Sequence, residues 1–153
     1  SFPPVKLLHE SLPDNSGPYL SVASFNLLAP CYVRPVDKRT GGIQPFAAFE
    51  WISDVDTPEV LDIDKRGPRL LAALRSCRAD VLCVQELQLS RSVGSDNEEQ
   101  FELPSWLKPI VEDDVYDICL PPLSELEVMS NRNQRVLGID DPVTTDLMYR
   151  TDR

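Results

Sequence analysis

The chain has 153 residues, 42% of them hydrophobic, with 25 acidic side chains against 15 basic ones and a formal charge of −10. That apolar share builds one core and excludes wholesale disorder, while the acidic balance excludes a protein that holds nucleic acid by phosphate neutralisation alone. Four cysteines without a CxxC pair and the single histidine His9 argue against a structural zinc site, so buried reduced thiols and an intracellular location are expected, and no run approaches the roughly 20 apolar residues of a membrane span.

Residues 1–18, "SFPPVKLLHESLPDNSGP", form a lead-in with turn residues from 13 to 18, and the domain is expected over 19–153. "YLSVASFNLL" reads as the first strand, with Asn26 near its end. From Ala29 to about Leu61 the chain carries Gly41, Gly42 and several prolines around a helix-like "PFAAFEWI", a functional loop or insertion. The clearest helix lies in "DIDKRGPRLLAALRSCRAD": Pro68 suits an early helical position, Leu70, Leu71, Leu74 and Cys77 share one face, and Arg69, Arg75 and Arg78 lie off it. These arginines, with Arg66, read as a solvated helix face rather than a phosphate track. "DVLCVQEL", Asp80–Leu87, follows at once as a strand without polar alternation, which predicts cover on both faces.

Strand, crossover with helix, strand is the order of a βαβ unit, which brings the C-terminal ends of both strands, and so Asn26 and Glu86, to one rim. Beyond it, "SRSVGSDNEEQ" reads as a solvated loop or helix start, and "LPSWLKPIVEDD" as a short helix interrupted at Pro109. "VYDICL" is a third strand, "PPLSELEVMSNRNQRVLGIDDP" a long loop with one helical turn, and "VTTDLMYR" a fourth strand.

The chemistry concentrates at that rim. A carboxylate at the open end of a rigid strand suits Mg²⁺, which takes oxygen ligands and keeps several waters; Glu86 is such a group. Asn26 offers an amide that orients a phosphate, a water or a carboxylate without adding charge. Taken singly, the asparagine is a turn former and the glutamate a solvated strand end.

"SFNLLAPCYV", the long loop, a helix with Arg66 in its first turn, and "ADVLCVQEL" together resemble the endonuclease/exonuclease/phosphatase superfamily. The resemblance is nearest to its deadenylase-like RNA exonucleases, the Angel and nocturnin groups and their 2′,5′-phosphodiesterase relatives. It implies an α/β fold, the N-terminal half of a two-layered β-sandwich flanked by helices, and a Mg²⁺-dependent (alternatively Mn²⁺-dependent) phosphodiesterase acting on RNA from its 3′ end. On this resemblance Asn26 and Glu86 are active-site residues, Glu86 being the metal ligand. The Asp-x-Asn motif and late Asp-His pair that complete such sites do not occur, so the chain is expected to hold half a site and to be inactive alone.

Phe46, Phe49 and Trp51 are candidates for stacking on bases. Competing readings are abasic-site DNA cleavage, phosphatase action on inositol head groups, and a noncatalytic interaction module on the same fold.

Overall fold

A computed structural model describes residues 19–33, 60–93, 99–113 and 115–151. The elements run β1 (Val22–Asn26), α1 (Pro30–Val33), α2 (Ile63–Cys77), β2 (Val81–Gln88), β3 (Ser90–Val93), β4 (Glu99–Glu102), α3 (Pro109–Glu112), β5 (Tyr116–Cys119), α4 (Leu123–Val136) and β6 (Val143–Arg150). They form a mixed α/β structure with a four-stranded sheet, order β1-β2-β6-β5, and a separate β3-β4 hairpin. β1 and β2 are parallel, as the βαβ order requires, while β6 is antiparallel to both β2 and β5. His9, the "PFAAFEWI" segment and Phe46, Phe49 and Trp51 lie outside the described residues.

α2 begins where the Asp62 carboxylate accepts the backbone N–H of Asp64 at 3.1 Å, and ends at Arg78 in the left-handed region, φ 49°. Pro68 stands inside the helix rather than in its first turn. It therefore leaves the carbonyl four residues earlier, that of Asp64, without its helical donor. Leu74 is fully buried, with Leu71 and Cys77 packed against the same cluster. Gly67 lies under the Trp106 side chain: a Cβ there would stand 2.7 Å from Trp106 Cγ. The helix accepts glycine, at about 1 kcal/mol against alanine, so that the indole can lie on its backbone.

The core lies on one side of the sheet, where Leu82, Val84 and Leu87 of β2 and Met148 of β6 meet Leu74, Leu107, Ile110 and Leu126. Both ends of the parallel pair are tied. At its start the Asp80 carboxylate accepts from Ser21 N at 2.8 Å and from Ser21 Oγ at 2.6 Å.

The other side of the sheet is largely open. Val22, Val81 and Tyr149 stand in one cross-strand row, and Ser24, Cys83, Leu147 and Cys119 in the next. Val22 is 60% exposed, Leu147 48% and Tyr149 41%. β2 is thus buried on one face and half-buried on the other, where its unbroken apolar run predicted full cover on both, and Cys119 is exposed rather than buried. All four cysteines are free thiols.

Three further segments differ from expectation. "SRSVGSDNEEQ" supplies β3 and opens β4, a hairpin secured by Arg91 on Glu99 and by Ser92 Oγ donating to Glu102 at 3.0 Å. Pro109 does not interrupt a helix but begins α3, where its missing N–H has no helical partner to lose. The segment read as a loop after Cys119 contains α4, 14 residues long, which buries only Leu126 and Ser130.

Candidate functional site

β1 and β2 run in register to Asn26 opposite Gln85, and the Leu27 N–H continues the ladder to the Gln85 carbonyl at 2.8 Å. There the β2-β6 register shifts between Gln85 and Leu87. Glu86 is the residue set out of step, with φ 56°, a bulge that re-aims its side chain. A left-handed non-glycine residue costs about 1–2 kcal/mol. Leu28, on the turn after β1, has φ 54° as well, so two strained residues stand at neighbouring strand ends.

Side-chain bonds hold this arrangement. Asn26 Nδ2 donates to Glu86 Oε1 at 2.7 Å, across 60 residues of sequence. Asn26 Oδ1 accepts the Leu28 N–H at 2.7 Å, and Glu86 Oε2 accepts the Ala29 N–H at 3.2 Å. Asn26 is therefore both the turn former and the partner of Glu86 that the sequence suggested as alternatives. The turn is braced again beneath: Gln88 Oε1 accepts the Cys31 N–H at 2.9 Å, and Gln88 Nε2 donates to Asp141 Oδ2 at 2.8 Å.

Arg66 does not lie on a solvated helix face. It is 8% exposed. Nη1 donates to the Leu27 carbonyl at 2.6 Å, Nε to the Leu61 carbonyl at 3.2 Å, and Nη2 to the Leu28 carbonyl. Burial pulls its guanidinium below the ordinary arginine range, and the Glu86 charge opposes that. Arg75, by contrast, is exposed and pairs with Asp113. Burial also pushes the Cys31 thiol up to about 12, with Asp141 and Glu86 adding to the shift, so this thiol is chemically quiet.

Glu86 opens into a cleft of about 280 Å³ whose walls include Leu28, Pro30, Pro104 and Trp106, with Asp64 and Gln88 as further polar groups. Each Glu86 oxygen takes one hydrogen bond, which leaves lone pairs free on both. That donor chemistry fits a hard cation carried by one carboxylate and completed by water or phosphate oxygens. Among the described residues no group of three or more His, Cys, Asp or Glu side chains converges on a metal position.

The sequence placed Asn26 and Glu86 on one rim, where the structure brings them into contact; it did not single out Gln88, Asp141 or Trp106 beside them, and it gave Arg66 the wrong setting. Gln88 stands two residues past Glu86, a spacing that could have drawn attention to it. Nothing local marks Asp141 or Trp106.

These features define a strand-end polar site beside a cleft in a mixed α/β protein, and no described helix is long and apolar enough to cross a membrane. No protein-family model, curated protein or solved structure matches the chain.

Proposed function

We propose that the chain carries part of the active site of a Mg²⁺-dependent phosphodiesterase of the endonuclease/exonuclease/phosphatase type, a 3′ exoribonuclease of the deadenylase-like branch. The observation that carries this reading is the Asn26–Glu86 hydrogen bond of 2.7 Å across two adjacent parallel strand ends, built on a left-handed glutamate. Asn26 and the Ala29 N–H fix the rotamer of the Glu86 carboxylate, and Arg66 fixes the turn that presents that N–H. Glu86 would hold the cation. The chemistry such a cation would supply there is polarisation of a phosphoryl oxygen and charge stabilisation of the leaving group. Trp106 and Pro104 give the cleft an apolar wall on which a base of single-stranded RNA could rest.

Among the described residues the cleft adds only the Asp64 carboxylate to Glu86, and the sequence holds neither an Asp-x-Asn motif nor an Asp-His pair, so the 153-residue chain alone is expected to bind Mg²⁺ without turnover. A panel of 3′-labelled RNA, abasic-site duplex DNA and inositol phosphates tests the substrate through Mg²⁺-dependent binding to the chain, with and without Glu86→Gln. Preference for either of the last two overturns the RNA reading and leaves the metal site standing. One observation favours a noncatalytic interaction module instead: the open sheet face bearing Val22, Leu147 and Tyr149. Absence of any Glu86-dependent Mg²⁺ binding would decide for that module.

A further inference from the structure

Asp146 is 3% exposed, and it lies on β6 opposite the fully buried Val84 of β2. Its Oδ1 has no hydrogen-bond partner among the described residues. Its Oδ2 meets Thr144 Oγ1, and that same hydroxyl lies 3.2 Å from the carbonyl oxygen of Leu87, the residue next to Glu86 in the bulge. A threonine hydroxyl has one hydrogen, whereas a carbonyl and a carboxylate both only accept. With Asp146 ionised, one of the two contacts has no proton in it, and an unpaired charge stays buried at a cost of several kcal/mol. A neutral acid removes both difficulties, because its O–H donates to Thr144 while Thr144 donates to Leu87.

We propose that Asp146 is a protonated carboxylic acid in the folded protein at neutral pH. Its proton orders the chain Asp146 Oδ2–H to Thr144 Oγ1–H to Leu87 carbonyl, making Asp146 a positioning residue for the bulge that carries Glu86. Burial independently pushes the Asp146 carboxyl above its ordinary range. The Thr144 hydroxyl opposes this only where it donates to Asp146, the reverse of the direction assigned here. No titratable group of the described residues, on the sheet or on the helices packed on it, adds to the shift. The importance of the bulge rests on the reading of Glu86 given above; the proton chain does not.

Infrared spectroscopy of the 153-residue protein at neutral pH tests it. A protonated-acid carbonyl stretch is expected, absent in Asp146→Asn; should that variant not fold, the band is assigned by its persistence in the wild type at a pH where exposed carboxyls have all ionised. The asparagine amide can also donate to Thr144, so Asp146→Asn should leave the Glu86 and Leu87 amide resonances and the Mg²⁺ affinity nearly unchanged. Thr144→Val breaks the chain. It should move those resonances and weaken Mg²⁺ binding roughly five-fold, the equivalent of one net hydrogen bond. A spectrum without the acid band at neutral pH, or a Thr144→Val protein with unmoved Leu87 resonances, overturns the proposal. If the wild type binds no Mg²⁺, the fault lies with the metal reading, and the band and the resonances still decide the proton chain.

Discussion

Replacing Arg66 with methionine keeps most of the side-chain volume and removes every donor. The Leu27 and Leu28 carbonyls lose their guanidinium partner, as does that of Leu61. A buried acceptor left without a donor costs about 1–3 kcal/mol. Leu27 is buried and Leu28 half-buried, so water can reach one carbonyl more readily than the other. Removing the charge returns part of this, since burial disfavours the guanidinium in the folded state. The balance is a loss of about 2–4 kcal/mol, led by Leu27. For a domain of this size that corresponds to a fall in Tm of roughly 5–15 °C. Urea unfolding followed by far-UV circular dichroism measures the loss, and Arg66→Lys, able to serve one or two carbonyls with a single ammonium, should fall between the two. A loss under about 0.5 kcal/mol for Arg66→Met, the range of ordinary surface substitutions, would refute the bracing role.

Glu86→Ala should abolish Mg²⁺ binding by calorimetry while changing unfolding free energy by about 1 kcal/mol or less, because two partly exposed hydrogen bonds are lost and alanine keeps the backbone strain. Gly67→Ala should lower Tm and shift tryptophan emission, since a Cβ 2.7 Å from Trp106 Cγ forces the indole to move; overpacking at about 1–3 kcal/mol exceeds the helix-propensity gain of about 1. Asp146 has a folded-state pKa raised above its value of 3.8 in the unfolded chain, so its contribution is complete below that pH and is lost as pH rises through the folded value. Wild-type stability minus that of Asp146→Asn should accordingly fall with pH above about 4, by at most 1.36 kcal/mol per unit, in paired melts. Leu147→Glu on the open sheet face should reduce binding of a hydrophobic dye and self-association in sedimentation, with Tm nearly unchanged.

The elements that could be read from sequence were those whose pattern reports burial. β1, α2, β2, β5 and β6 all place apolar residues at strand or helix spacing, and the helix between β1 and β2 made their parallel pairing a consequence of topology. α4 was hidden because its buried side is only Leu126 and Ser130, too narrow to make a stripe. Its stop signal was nonetheless present in Gly138, at φ 79°, just past the last turn. β3 and β4 were hidden because their pairing is decorated by charge: Arg91 and Glu99, Ser92 and Glu102.

At the site, parallel strand ends made Asn26 and Glu86 legible as neighbours, but a glutamate gives no hint that its own backbone is left-handed. Arg66 could have been placed better. It precedes Leu70 and Leu74 by one and two helical steps of four, and so heads the buried stripe rather than the solvated face. Its charge suggested the opposite, and two of the three backbone carbonyls that receive it, those of Leu28 and Leu27, belong to a turn 38 and 39 residues earlier.

The parallel pair that builds the site has a cost in time. Its end contacts join Ser21 to Asp80, 59 residues apart, and Asn26 to Glu86, 60 residues apart. β2 gains its other neighbour only from Val143–Arg150. Contacts this distant yield no energy until the entropy of closing the intervening loop has been lost, so sheets of this kind form late, after α2 and the β3-β4 hairpin. During synthesis, Leu82 and Val84 of the central strand therefore emerge from the ribosome well before β6 exists to pair with β2. Over that interval they are an apolar stretch with unpaired backbone on one edge, the condition in which a chain is most open to wrong pairing. The β2-β6 side of the site is consequently among the last parts of the structure to be assembled.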